Sequence, residues 1–331
     1  MIDIKRGWND NLPMLTYLLN AQGAMRSCLA GWQDIFGLAN RALHNGGLAP
    51  LFQTKIVTLS ASNLNRLRAG PLPGLVMAPV MLGTTYPDLA NQALLELLAR
   101  WHGQGVILAS ACAGSFLLAA SGILDGGCAT THWSLAEQFR IRFPKVDLRE
   151  GELLVTLPAD AGKSRGAVYC GGGMTAYVDV ALAIIANTGG AALAERVART
   201  LLWDPHRPMQ AAYAESTPIP ALITDESILR AESWAVARIE RDFSLAEWAN
   251  AIGLELRSFQ RRFQTAMSMA PGLWLRRHRL RFSRDLLTTS ARSWEEICAA
   301  CGYRDPGSFR RLFQGEYGLS PREYRQRFGV R

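Results

Sequence analysis

The sequence predicts two domains, an α/β parallel sandwich followed by an all-helical domain. A length of 331 residues is typical of about two domains. Apolar runs alternate with helical patterns in the front part, as in GVILAS followed by AGSFLLAASGIL, which indicates a parallel sheet with helices on both faces. Residues 226–331 carry helical patterns only. Residues 206–225 hold three prolines and little apolar periodicity, so we interpret them as a linker after a domain of residues 1–205.

The strands and helices of the front domain follow one another along the chain. Strands are predicted from the apolar runs MLTYLLN, KIVTLSA, LVMAPVML, GVILAS and AVYCGG. Helices are predicted from CLAGWQDIFGLANRAL, DLANQALLELLARW, AGSFLLAASGIL and TAYVDVALAIIAN. Ligands bind such sheets at the carboxyl ends of the strands, where Cys112, Thr131, His132, Trp133 and the CGGGMT turn would lie. The glycines of that turn lack the spacing of a dinucleotide-binding or Walker loop.

Composition and charge exclude several classes of protein. A hydrophobic content of 49% with 19% charged residues is typical of a globular chain and argues against global disorder. No charge-free run approaches the ~18 apolar residues of a membrane span. The N-terminal MIDIKRGWNDNLPML lacks a signal-peptide pattern, and the six cysteines form no regular framework. We therefore expect a cytoplasmic protein without a membrane partner.

The basic charge is concentrated in the second domain. Residues 226–331 hold 19 arginines, no lysine and 12 acidic residues, a net charge of +7 out of the +8 of the whole chain. A basic domain behind a nearly neutral one predicts that the second domain binds a polyanion. Cys298 and Cys301 form a lone CxxC without a second ligand pair, so we predict helix packing there and no metal site or cofactor in the chain.

The second domain contains the same pattern twice, at residues 244–264 and 293–314. Each copy begins with a serine followed three residues later by glutamate, which predicts a capping box. A short helix then ends at a glycine. A second helix follows with phenylalanine at i and i+4, the spacing of an inward face. This order of elements is a helix-turn-helix, present twice.

The outward face of each second helix carries the side chains that hydrogen-bond base edges. Arginine donates to guanine O6 and N7, and glutamine pairs with adenine N6 and N7, in the major groove. Two matched faces in a basic domain predict binding to a double-stranded DNA operator, with the helices in successive major-groove segments roughly 34 Å apart. The expected base contacts are Arg257, Gln260, Arg261, Ser308 and Arg311, and the expected phosphate contacts are Arg262, Arg304 and Arg310.

Cys112 lies where a predicted strand turns into a predicted helix. Small residues surround it in SACAG, which permits the tight turn of a nucleophile elbow. A buried cysteine that behaves as a small hydrophobic residue is the alternative. The stretch alone leaves both interpretations open.

Two known families resemble the two parts of the chain. Residues 226–331 are similar to the AraC/XylS-type DNA-binding domain in SFQRRF, CGYRDPGSFRRLF and GLSPREYR. Residues 14–205 are similar to the PfpI/ThiJ-type, class I glutamine amidotransferase-like domain in CAGSFLLAASGILDGGCATTHW and AYVDVALAI. The fusion in this order resembles GlxA-type transcriptional regulators. That resemblance implies a sensor or dimerisation role for the front domain, and relatives that regulate arginine, carnitine or betaine catabolism, often as activators.

The resemblance also implies that catalytic residues have been lost. In enzymatic relatives an acidic residue holds the cysteine, and this chain has Cys28 at the position of that acid. Asp34, about one helix turn away, is the alternative acid in this chain. Peptidase relatives have histidine directly after the cysteine, where this chain has Ala113. We therefore interpret Cys112 as the relic of a nucleophile in a pocket reused for a small-molecule effector. An aromatic wall suits a quaternary ammonium or guanidinium group. The expected pocket residues are Cys28, Trp32, Cys112, Ala113, His132, Trp133 and Met174.

Three interpretations remain open from the sequence. The favoured one is a ligand-responsive regulator, an activator that contacts RNA polymerase and forms a homodimer through its front domain. The second is a cysteine-dependent hydrolase or glyoxalase-like enzyme joined to a DNA-binding module. The third is a constitutive regulator whose front domain only dimerises, for which VDVALAIIANTGGAALA offers apolar helices that equally suit core burial.

Overall fold

The computed structural model describes residues 12–82, 91–160, 162, 164–204, 207, 209–213, 225–267 and 269–329. Its internal contacts divide the chain into two units, Met1–Ala211 and Ala212–Arg331. None of the described helices is long and apolar enough to span a membrane. The fold class is the predicted one, an α/β unit followed by an all-helical unit.

A mostly parallel sheet forms the centre of the first unit. Its described strands are β1 (Met14–Asn20), β2 (Phe52–Thr58), β3 (Leu75–Ala78), β4 (Ile107–Ala111), β7 (Leu154–Leu157) and β8 (Val168–Gly171). They are ordered β2-β1-β3-β4-β8-β7, and only the edge strand β7 runs antiparallel to its neighbour. A separate parallel pair consists of β5 (Cys128–Ala129) and β6 (Asp147–Leu148). The inner strands β3 and β4 are almost wholly buried, as expected for strands covered on both faces.

Helices of the first unit follow the strands. They are α1 (Arg26–His44), α2 (Ala61–Ala69), α3 (Gln92–His102), α4 (Gly114–Ala120), α5 (Ala136–Arg142), α6 (Tyr177–Gly189) and α7 (Ala191–Thr200). The segment VDVALAIIANTGGAALA, which equally suited dimerisation and core burial, lies largely in the core, because Ile184 and Ile185 of α6 are fully buried. Helices α2 and α5, most of α7 and the short strands β5 to β7 have no counterpart among the predicted elements.

The first unit extends beyond the predicted boundary at residue 205. Arg207 forms an ion pair with Asp179 of α6, and its guanidinium lies 4.1 Å from the ring centre of Trp203. Gln210 is buried in the same unit. The predicted linker therefore begins with residues that pack as part of the front domain. Residues 214–224 of that linker lie outside the described residues.

Seven helices are described in the second unit. They are α8 (Glu226–Val236), α9 (Leu245–Ala251), α10 (Leu256–Met267), α11 (Pro271–Thr289), α12 (Trp294–Ala300), α13 (Pro306–Tyr317) and α14 (Pro321–Phe328). The pairs α9–α10 and α12–α13 are the two predicted helix-turn-helix copies. Gly253 and Gly302 end the first helix of each copy with φ of 74° and 73°, values that a residue without a side chain adopts freely. Cys298 and Cys301 are buried.

The two copies differ at the start of their first helix. Ser293 and Glu296 make both hydrogen bonds of the predicted capping box. In the first copy, the Ser244 hydroxyl accepts from the Glu247 backbone N–H, but the Glu247 carboxylate pairs with Arg241 instead of returning to Ser244. The predicted box is therefore complete in the second copy and half complete in the first.

Candidate functional sites

The helices α10 and α13 turn their phenylalanines inward and their polar residues outward. The side chains of Phe259, Phe263, Phe309 and Phe313 are completely buried. Around the first pair lies an aromatic cluster centred on Trp248, whose indole N–H donates to the Ala231 carbonyl at 2.8 Å. The exposed arginines and glutamines of the two helices are Arg257, Gln260, Arg261 and Gln264 on α10, and Arg310, Arg311 and Gln314 on α13. The orientation is the predicted one, and the base contacts themselves stay a prediction.

Hydrogen bonds at the start of α13 hold one of these arginines. The Asp305 carboxylate accepts from the backbone N–H groups of Gly307 and Ser308 at 3.1 and 2.9 Å, as an N-cap does. A hydrogen bond from the Ser308 side chain is the largest cause that lowers the pKa of Asp305. The half-buried Ser308 in turn accepts from the Arg311 guanidinium at 2.8 Å. The two predicted contacts Ser308 and Arg311 are therefore one connected group on the exposed face.

Arg262 occupies a different environment from the one predicted. Its Nε and Nη2 atoms donate to the two carboxylate oxygens of Asp225 at 2.9 and 2.8 Å. The same carboxylate caps α8 by accepting from the Ser227 and Ile228 backbone N–H groups, and the hydrogen bond from Arg262 is the main reason that the pKa of Asp225 is lowered. The Arg262 guanidinium therefore joins α10 to the start of α8, and its role as a phosphate contact stays a prediction that competes with this ion pair.

The other two predicted phosphate contacts have loose partners. Arg304 lies 3.9 Å from the Asp242 carboxylate and its side chain is 91% exposed. Arg310 lies 4.0 Å from Glu295, also with an exposed side chain. Exposed ion pairs at such distances contribute at most about 1 kcal/mol. Both guanidinium groups can therefore exchange these partners for a phosphate.

The elbow geometry predicted at Cys112 is present in the first unit. Cys112 has φ of 55° between β4 and α4, an uncommon conformation for a residue with a side chain. Its backbone N–H donates to the Gly171 carbonyl at 2.8 Å. Its carbonyl accepts from the hydroxyls of Ser115 and Thr131, both at 3.0 Å. A side chain on Gly114 would collide with the Ala78 carbonyl, so this turn requires glycine.

The environment of Cys112 suppresses the chemistry of a nucleophile. Burial raises the pKa of the Cys112 thiol to about 11, and only the Ala113 backbone opposes this shift. Burial likewise raises the pKa of Cys28 to about 12, and the neighbouring Cys112 raises it further. Because the thiolate is the reactive form, the raised pKa disfavours the reactive state of both sulfurs at neutral pH. Asp34, the alternative acid, lies exposed on α1.

Several expected pocket residues belong to the core instead. Trp32 is completely buried, and its indole N–H donates to the Tyr177 carbonyl at 2.8 Å. Cys28 is also completely buried, and Ala113 is nearly so. Their assignment to a pocket wall is wrong for the side chains of Trp32 and Cys28, because neither presents surface to a ligand.

The remaining pocket residues are partly accessible. His132 and Trp133 are half-buried, with ring centres 5.2 Å apart. The His132 Nδ1 atom lies 2.7 Å from the Ser134 hydroxyl and accepts from the Ser134 backbone N–H, so it caps the turn that follows. Burial lowers the pKa of His132, which keeps the ring neutral at pH 7. Met174 is 40% exposed.

Sequence reasoning missed Gln210, which packs beside the elbow. Gln210 is 3% exposed, and its Nε2 atom lies 3.0 Å from Thr130 Oγ1, 2.7 Å from the Thr131 carbonyl and 3.1 Å from the Glu152 carbonyl. A side chain on Gly172 would overlap its amide. Because Thr131 also binds the Cys112 carbonyl, Gln210 is linked to the elbow through one residue.

Comparison with known proteins finds a matching family model and similar regulators. A family model described as a helix-turn-helix domain matches residues 248–327. The HTH-type transcriptional regulator CdhR of Pseudomonas aeruginosa is 26% identical over 233 residues, 70% of this chain and 67% of the relative. The HTH-type transcriptional regulator GlxA of Rhizobium meliloti is 30% identical over 246 residues, 72% of this chain and 70% of the relative. This chain belongs to the family of GlxA-type helix-turn-helix transcriptional regulators.

The front domain of this regulator also has an enzyme among its relatives. The isonitrile hydratase of Pseudomonas putida is 30% identical over 149 residues, which span 44% of this chain and 58% of the enzyme.

Proposed function

We propose that this regulator binds an operator in double-stranded DNA sequence-specifically, through the outward faces of α10 and α13. The observation that carries the proposal is the pair of matched helices, each with buried phenylalanines behind an exposed row of arginine and glutamine. Base contacts are assigned to Arg257, Gln260, Arg261, Ser308 and Arg311. Phosphate contacts are assigned to Arg304 and Arg310, whose present partners are weak.

We further infer that the front domain senses a small molecule and is not an enzyme. The protonated Cys112 thiol and the neutral His132 lack the ion pair that activates a cysteine nucleophile. The half-buried Trp133 offers an aromatic surface near the carboxyl ends of the strands. Such a surface attracts quaternary ammonium and guanidinium groups, so arginine, carnitine and betaine are the first candidate effectors. Homodimerisation through the front domain, contact with RNA polymerase, activation and a cytoplasmic location belong to the same proposal.

A second candidate function is cysteine-dependent turnover, and the elbow at Cys112 with its positive φ favours it. A ligand that lowers the pKa of the Cys112 thiol would be needed. Thiol-dependent consumption of an isonitrile or an α-oxoaldehyde, lost in Cys112→Ala, would establish this function. No consumption above the Cys112→Ala background, together with an intact ligand response in that variant, would support sensing.

The test of DNA binding is selection from a randomised duplex library with the full-length chain, followed by fluorescence anisotropy at several salt concentrations. Arg261→Ala and Arg311→Ala should each lose roughly 1–3 kcal/mol on the selected duplex and discriminate less between bases. Arg196→Ala, an exposed arginine of α7, removes the same charge from the first unit and serves as the control. Equal losses on selected and shuffled duplexes would contradict the base contacts.

The test of sensing is thermal unfolding with arginine, carnitine and betaine. A ligand that binds only the folded state stabilises it by about 2.7 kcal/mol when its concentration is 100 times its Kd. The melting temperature therefore rises. Trp133→Ala should abolish the shift and the ligand response while leaving DNA affinity unchanged. A response that survives in Trp133→Ala would contradict the aromatic assignment.

A further inference from the structure

Arg279 is a buried arginine on α11, the helix that joins the two helix-turn-helix copies. Its side chain is only 6% exposed. Its Nη2 atom donates to the Arg241 carbonyl at 2.6 Å. The centre of its guanidinium lies 5.5 Å from the ring of Phe243 and 5.5 Å from the ring of Tyr303. Arg241 and Phe243 immediately precede the first copy, and Tyr303 lies in the turn of the second.

Gly302 packs closely against the Arg279 guanidinium and against the backbone of Ile239. A side chain on Gly302 would lie 2.8 Å from the Arg279 Nη2 atom and 2.9 Å from the Ile239 carbonyl. Gly302 has φ of 73°, so the turn of the second copy needs glycine for its conformation as well as for this contact. The Asp242 carboxylate lies 3.9 Å from Arg304 across the same junction. Segments 239–243 and 301–304 therefore meet at the Arg279 guanidinium.

Burying a guanidinium for stability alone is unfavourable. The charge loses its hydration, and an apolar side chain of similar volume often stabilises a core as well or better. Burial also lowers the pKa of Arg279, in keeping with that desolvation. The planar group does offer what an apolar chain cannot, because it stacks on aromatic rings and donates in fixed directions. It can therefore hold two segments at one distance and one angle.

We infer that Arg279 is a positioning residue that fixes the separation and the angle of α10 and α13, and so sets the spacing between the two DNA segments that the regulator reads. This inference rests on the proposed DNA binding. One added base pair moves a binding segment by roughly 3.4 Å along the helix axis and rotates it by about 34°. A rigid junction cannot follow that displacement, so the second helix loses its contacts.

The expected size of the effect follows from linked binding. Two binding modules in the correct geometry bind 10²- to 10⁴-fold more tightly than one alone, and this gain disappears when the geometry prevents both from binding. The wild-type chain should therefore lose about 100-fold or more in affinity when one base pair is inserted between the segments. A loosened junction should bind the intact duplex less tightly and tolerate the insertion better.

The experiment uses the full-length chain and the duplex that the wild-type chain selects from a randomised library. Affinities are measured for that duplex, for versions with one base pair inserted or deleted between the two segments, and for duplexes with one segment scrambled. The variants are Arg279→Met, which removes the planar charge, and Arg281→Met, an exposed arginine on the same helix that serves as the control. Tryptophan fluorescence and thermal unfolding verify the fold of each variant.

Arg279→Met should keep the affinity for single segments within about twofold and reduce the insertion penalty to about tenfold or less. Arg281→Met should retain the full penalty. An Arg279→Met variant that loses as much affinity as the wild-type chain on insertion of one base pair would overturn the inference. Equal losses of affinity for single and paired segments would also overturn it, because they indicate a merely structural role. If Arg279→Met fails to fold, Arg279→Lys keeps the charge without the planar group and is judged by the same two outcomes. Failure of the wild-type chain to select any sequence would instead refute the proposed DNA binding.

Discussion

Replacing Arg262 with alanine is expected to reduce stability without changing DNA specificity. The substitution removes two charge-assisted hydrogen bonds to Asp225, whose side chain is 24% exposed beside an Arg262 side chain that is 39% exposed. Ion pairs with this much solvent contribute up to about 1 kcal/mol, and the paired geometry places this one near the upper end. Asp225 keeps its backbone hydrogen bonds at the start of α8. We therefore expect the helical unit to lose about 1 kcal/mol, or about 4 °C in Tm.

The neighbouring Arg261→Ala variant is the matched comparison, because Arg261 is exposed on the same helix. Thermal unfolding and anisotropy titrations at several salt concentrations are measured for both. Arg262→Ala should melt earlier and keep the wild-type salt slope, whereas Arg261→Ala should keep the wild-type Tm and discriminate less between bases. Arg262 lowers the pKa of Asp225, so its stabilisation is present at neutral pH and disappears as pH falls below about 3.9 through the lowered value. An unchanged Tm with a salt slope smaller by about one would refute this reasoning and restore the phosphate contact.

Three further predictions concern other positions. With the pKa of Cys112 raised to about 11, about one thiol in 1,000 is ionised at pH 8. Iodoacetamide should therefore label Cys112 at least ~100-fold more slowly in the native protein than in urea. Equal labelling rates by mass spectrometry would contradict its burial. Asp305→Ala should lower the Tm by removing the N-cap of α13, and Asp305→Asn should restore most of the loss in thermal unfolding. Gln210→Ala should destabilise the first unit by roughly 1–3 kcal/mol in denaturant titrations, and an unchanged midpoint would show that its buried hydrogen bonds contribute nothing.

The helix-turn-helix copies could be predicted because their signals are local. The capping serines, the terminal glycines and the phenylalanine pairs each fall within one or two helical turns of the residues that they organise. The position of Arg262 depends instead on Asp225, 37 residues earlier in the chain. Helical periodicity indicates which face a residue lies on but not which neighbouring helix covers that face. The predicted capping box at Ser244 is incomplete for a different, local reason, because Arg241, six residues before Glu247, pairs with its carboxylate.

The front domain shows the same limit over longer distances. The sequence predicts Trp32 near the strand ends as part of an aromatic wall, yet its indole N–H donates to the Tyr177 carbonyl, 145 residues away. The strands β5 and β6 have two residues each, too few for any periodic signal. Gln210 lies in a proline-containing stretch with no pattern of its own, and only its contacts with Thr130, Thr131 and Glu152 reveal that it is buried.

The elbow at Cys112 shows why geometry alone does not identify a nucleophile. The strained backbone at φ of 55°, the required Gly114 and the short helix that follows are all present. Reactivity also needs a stabilised thiolate. Burial raises the pKa of both Cys112 and Cys28, which disfavours that thiolate. What the turn retains is its hydrogen bonding, because the Cys112 carbonyl binds Thr131 and Thr131 binds Gln210 near the end of the first unit. The turn therefore acts as a structural link between β4, Thr131 and Gln210, and the protonation state of the Cys112 thiol is the measurement that distinguishes a nucleophile from a structural cysteine.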